Sequence, residues 1–143
     1  MAHILVAEST ETSARIRQIV SGHKVDYVTR MSAAIRILEE HDIDLVICTV
    51  DFDDTNILQL LQIVKNTPKG QRTPFVCARV NDNTIRSPIS QDTLKYTCMQ
   101  LGSTAFLNIA DYEKEPERQM AYVIQSYLED TTSKTQKTNN SPK

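Results

Sequence analysis

The stretch Ile43–Leu61, "IDLVICTVDFDDTNILQLL", holds an unbroken apolar run, Leu45–Cys48, that stops at a hydroxyl, passes through aspartates and then takes up a helical pattern. A short continuous apolar run suits a strand covered on both faces, as in a parallel sheet. Ile57, Leu60, Leu61 and Val64 follow at three- and four-residue spacing, so the segment reads as strand, acidic loop and helix. Phosphate-accepting and metal-binding sites are often built this way. Here, however, the residue that closes the run is Thr49, and carboxylates arrive only at Asp51, Asp53 and Asp54.

Further strand-like runs lie at Ile4–Ala7, Val25–Val28, Phe75–Ala78 and Ala105–Ile109. Helical patterns separate them: Ile16, Ile19 and Val20; Met31, Ala34, Ile35 and Leu38; a helix over Thr93–Leu101; and a last one carrying Met120, Val123, Ile124 and Tyr127 after Pro116. Parallel strands need crossover connections, usually helices, so the alternation predicts an α/β fold. The expected architecture is a doubly wound five-stranded parallel sheet, a (βα)5 three-layer sandwich with two helices on one face and three on the other. Chemistry in such sheets gathers at the carboxyl ends of the strands. The residues to watch are Glu8 and Ser9, Thr49, Arg79 and Ile109.

The chain has 143 residues, 40% hydrophobic and 24% charged, which suits one globular domain, placed at residues 1–130. The polar connection at residues 80–92 is long for its kind, and residues 131–143 carry no apolar side chain and are expected to form a disordered tail. A net charge of −2 without a basic stripe speaks against nucleic acid. The apolar runs are strand-sized and "MAHILVAES" has no basic leader, so no membrane span is expected and the location is read as cytoplasmic. Cys48, Cys77 and Cys98 form no CxxC pair and read as buried small hydrophobes; His3, His23 and His41 show no metal spacing. With only Gly22, Gly70 and Gly102, no Gly-rich phosphate loop exists, and no nucleophile elbow is present.

Taken together, the runs "ILVAES", "DLVICTVDFDDTNILQLL", "TPFVCAR" and "LGSTAFLNI" resemble the receiver domain of bacterial response regulators, the CheY-like family, over Ala2 to about Asp130. Asp44 matches an aspartate five residues before the family's phosphoacceptor, and Leu58–Leu61 match its following helix without an insertion. The resemblance implies a flavodoxin-like, CheY-like sandwich and places the phosphoacceptor on Thr49. A hydroxyl cannot form an acyl phosphate, which needs a carboxylate nucleophile. The family's phosphoryl-contacting hydroxyl falls on Arg79 and its lysine on Ile109. Of its magnesium-holding acidic pair, Glu8 survives while the second member is Ser9. Magnesium favours hard oxygen ligands, usually including one or two carboxylates.

The resemblance therefore implies a degenerate pocket of Glu8, Ser9, Thr49, Asp51, Arg79 and Ile109, with no catalytic residue, metal or cofactor and no enzymatic activity. Thr49 is expected only to cap or fill, and Arg79 to reach Glu8 or Asp51. The implied function is a phosphorylation-independent pseudo-receiver that binds another signalling protein, a homodimer being compatible with it. The partner face would carry Tyr96, Phe106 and Tyr122. Two alternatives stand beside it: phosphoryl acceptance at Asp51 or Asp53, and a small-ligand module of flavodoxin-like architecture.

Overall fold

Strand β3 (Leu45–Thr49) occupies the middle of a five-stranded, wholly parallel sheet of order β2-β1-β3-β4-β5. The other strands are β1 (His3–Ala7), β2 (Lys24–Val28), β4 (Phe75–Arg79) and β5 (Ala105–Asn108). The computed structural model describes residues 2–10, 13–20, 22–53, 56–80 and 91–140. The long connection expected at residues 80–92 falls mostly outside them. Every residue of β3 is buried, whereas the edge strand β2 buries only Val28, as expected for a central and a marginal strand.

Side-chain alternation along the strands splits the core into two layers. Leu5, Ala7, Val46, Cys48, Phe75 and Cys77 face α2 (Met31–Glu40), α3 (Ile57–Lys65) and α5 (Gln91–Gln100). Ile4, Val6, Leu45, Ile47, Val76 and Ala78 face α1 (Ser13–Ile19) and α6 (Pro116–Asn140). The expected division of two helices against three is thus present, and a short helix, α4 (Pro68–Arg72), adds to the three-helix side. Thr67 caps α4 by accepting from the Gly70 N–H at 2.9 Å, with Pro68 in its first turn. Gly70 has no room for a side chain, since a Cβ would stand 1.8 Å from the Val64 carbonyl oxygen.

Three boundaries differ from the sequence expectation. Strand β3 includes Thr49, and β5 stops at Asn108 because Asn108 Oδ1 accepts the Ala110 N–H at 3.0 Å and turns the chain into a 3-10 segment, Ile109–Asp111. The tail expected beyond residue 130 is helical backbone as far as Asn140. No glycine or proline interrupts residues 117–140, so the helix propagates past Leu128, its last buried side chain among the described residues. At the end of α5, Gly102 adopts φ +105°, Ser103 N–H donates to Cys98 O and Gly102 N–H to Met99 O. This is a Schellman cap, and it delivers the chain into β5.

Two outcomes follow from this packing. Gly70→Ala should lower unfolding free energy by about 1 to 3 kcal/mol in urea titration, because the clash is with backbone that cannot rotate away. Deleting residues 131–143 should change the melting temperature by no more than about 2 °C, since no apolar side chain is lost.

Candidate functional site

At the carboxyl edge of the sheet, β1, β3 and β4 end side by side and deliver Glu8, Thr49 and Arg79 to one rim. The Glu8 N–H donates to Val28 O at 2.9 Å, which continues the β1–β2 ladder by one residue and buries the Glu8 side chain to 1% exposure. Thr49 is fully buried. Beyond it, alternation persists into the loop: Val50 and Phe52 turn into the core, while Asp51 and Asp53 are only half-buried. The two apolar side chains thereby aim the two carboxylates at the rim.

Asp51 is the hub. Ser9 Oγ donates to its Oδ2 at 2.8 Å and Thr49 Oγ1 to its Oδ1 at 2.9 Å. One carboxylate thus joins the end of β1 to the end of β3 through two charge-assisted hydrogen bonds. Thr49, expected only to cap or fill, is a buried donor to a carboxylate. Asp53 serves elsewhere: its Oδ2 accepts the Met31 N–H at 2.7 Å, supplying the cap that the Arg30 side chain does not give α2. To do so it takes φ 41°, a left-handed conformation that aspartate tolerates better than most residues.

Arg79 Nη1 donates to Asn108 Oδ1 at 3.3 Å, its register partner on β5. Another cation comes to this region from α1. Arg17 stacks on Tyr27 with its Cζ 3.8 Å from the ring centroid. Burial pushes the Tyr27 phenol up, Arg17 opposes this and the Glu8 charge adds to it, so the phenol feels both groups. A second arginine, Arg15, bridges Glu117 Oε2 (3.0 Å) and the Val80 carbonyl (2.8 Å), tying α1 and α6 to the exit of β4. Neither arginine stood out in the sequence, though each lies beside a buried apolar position of α1. Ile109 is buried in the α1/α6 layer and brings no charge to the rim.

The hydroxyls of Ser9 and Thr49 are turned to Asp51, and among the described residues no group of three His, Cys, Asp or Glu side chains could hold a metal. Of the aromatic residues expected at a partner face, Tyr96 on α5 and Tyr122 on α6 are exposed, at 66% and 79%, whereas Phe106 is half-buried against the α5 layer.

No protein-family model matches the chain, and no curated protein sequence matches it. Solved structures do. A response regulator from Hahella chejuensis superposes with TM-score 0.69 at 20% identity, over 90% of this chain and 95% of its own. A CheY-like receiver domain protein from Methanospirillum hungatei gives 0.69 at 12% identity, over 94% and 98%. The receiver domain of a signal transduction histidine kinase from Syntrophus aciditrophicus gives 0.66 at 19%, over 93% and 91%. The fold is that of receiver domains.

If the Asp51 clasp contributes as its geometry indicates, Thr49→Val, which keeps shape and removes the hydroxyl, should cost about 1 to 2 kcal/mol in urea unfolding, the lower part of the range for bonds to charged groups because Asp51 is half-exposed. Ser9→Ala should cost less, and the double variant should depart from additivity because both donors share one acceptor. A Thr49→Val protein as stable as wild type would show that the clasp adds nothing.

Proposed function

We propose that the chain is a phosphorylation-independent pseudo-receiver, a module of two-component-type signalling that acts by binding another protein. The observation that carries this reading is Thr49: a fully buried hydroxyl at the end of the central strand, donated to Asp51. It stands where the family resemblance puts the phosphoacceptor, and it cannot make an acyl phosphate. The neighbouring carboxylates have other work. Asp51 receives two hydroxyls and Asp53 caps α2. Ile109 gives no cation at the position matched to the family's lysine.

Structural likeness to receiver domains, one of them from a histidine kinase, supports a signalling partner. Exposed Tyr96 and Tyr122, on helices that flank β5, supply the kind of amphipathic side chain that anchors protein interfaces. A small-ligand reading gains less support. The described cavity, about 250 Å³ and lined by Leu38, Ile43, Val64 and Thr67, lies near the amino ends of β3 and β4 and away from the rim. No described helix is long and apolar enough to cross a membrane.

The test is exposure of the purified chain to acetyl phosphate and Mg²⁺, followed by intact-mass measurement. We expect no added phosphoryl group. A hydroxylamine-labile phosphoryl adduct mapping to Asp51 or Asp53 would overturn the proposal and establish the phosphoacceptor alternative.

A further inference from the structure

The three cysteines that read as inert hydrophobes in the sequence meet in one core layer. Cys48 and Cys77 are register partners on β3 and β4, and α5 brings Cys98 down onto them; all three are fully buried. Cys77 and Cys98 stand close enough for each thiol to shift the ionisation of the other. Ser103 brackets the pair from the α5–β5 turn: its Oγ lies 3.3 Å from Cys77 Sγ, and its N–H donates to the Cys98 carbonyl at 3.0 Å. Cys98 thus faces Cys77 from the opposing layer, from helix to strand, while Cys48 stands alongside Cys77 on a parallel strand.

We propose that Cys77 and Cys98 form a dithiol that an oxidant of the peroxide class converts into a disulfide joining β4 to α5. The environments of the two sulfurs give them different roles. Donation from Cys77 lowers the Cys98 thiol, whereas Cys77 itself is pushed up, first by that same hydrogen bond and then by burial. Burial pushes Cys48 well up. Cys98, carried by the shallowly seated α5, is the thiol that meets the oxidant first and attacks as its thiolate. It takes one peroxide oxygen as the O–O bond breaks, giving a sulfenic acid, and the departing hydroxide leaves as water after protonation. The Cys77 sulfur then displaces hydroxide from Cys98, the S–S bond forms, and the Cys77 proton completes a second water. Two thiols lose two electrons and two protons, and the peroxide is reduced to two waters.

Access comes from the shallow seating of α5. Among its described residues only Leu94 and Cys98 are buried, against four in α3, so α5 should detach locally at lower cost. Once formed, the bond would fix on β4 the helix that carries exposed Tyr96. Under the proposed function this would regulate the docking face, although the disulfide chemistry does not depend on that reading.

The experiment starts from the reduced full-length chain, adds hydrogen peroxide, blocks remaining thiols with iodoacetamide under denaturing conditions and maps peptides without reductant. The expected result is a Cys77–Cys98 cross-linked peptide, loss of two hydrogen masses from the chain, an alkylated Cys48 and reversal by dithiothreitol. Cys98→Ser should abolish the cross-link and Cys48→Ser should retain it; the wild-type map decides alone if a variant does not fold. Met99, 42% exposed on the same helix, serves as an internal gauge of exposure to oxidant. Cys77 and Cys98 both still alkylated once Met99 is a sulfoxide would overturn the proposal. So would a cross-link through Cys48, or sulfinic acid at Cys98 with Cys77 free.

Discussion

Strand β3 turns no face to water: each residue from Leu45 to Thr49 is buried between two helical layers, with β1 and β4 hydrogen-bonded at its sides. Any polar group at either end must therefore find its partner within the protein. Aspartates do this at both ends, and both reach to β1. Before the strand, Asp44 Oδ2 accepts the His3 N–H at 2.8 Å while the Asp44 N–H donates to His3 O. After it, Asp51 accepts the hydroxyls of Ser9 and Thr49. The β1–β3 pair is thus held by a carboxylate at each end, and β2, β4 and β5 add outward from it.

The same constraint shapes the electrostatics of the rim. A third carboxylate at Thr49, beside Glu8 and Asp51, would place like charges where burial already disfavours them, and such a cluster needs a cation. With a threonine there, the site needs less compensation, and what it has comes from hydroxyls and from arginines fixed to neighbouring elements. Arg17 lies over Tyr27, and Arg79 donates to Asn108. Both guanidinium groups are thereby oriented in part by contacts along the sheet.

What could be read from the sequence was whatever periodicity encodes. The five apolar runs gave the strands within a residue or so, and the hydroxyl at position 49 was visible because it interrupts the most apolar run of all. Hidden from view was everything decided by choice among partners in space. Asp51 had an arginine and two hydroxyls as candidate donors, and the hydroxyls, carried on short side chains already at the rim, took both of its oxygens. Helix α4 escaped because it has five residues and no apolar stripe; its Thr67-Pro68 start was the available signal. The length of α6 is not legible either, since propensity without a breaker can carry a helix beyond its packed portion and leaves no apolar stripe to mark it. The meeting of Cys77 with Cys98 has no linear signature, since their proximity depends on how α5 crosses the sheet.

A conformational switch requires a ligand that makes different contacts in two states. At this rim the groups that could make such contacts are held by the fold itself: Asp51 by the two strand ends, Asp53 by the start of α2, and Ile109 by the core. A phosphoryl-sized anion placed there would have to open two charge-assisted hydrogen bonds and approach two carboxylates, so in the proposed reading the rim favours one state. Helix α5 is different. It buries two described side chains, shares a core layer with the cysteines of β3 and β4 and ends in a glycine cap, which makes it the element whose position can change without disturbing the β1–β3 pair. In a fold of this build the adjustable part lies on the α5 side of β4 and β5, away from the strand end that carries Thr49.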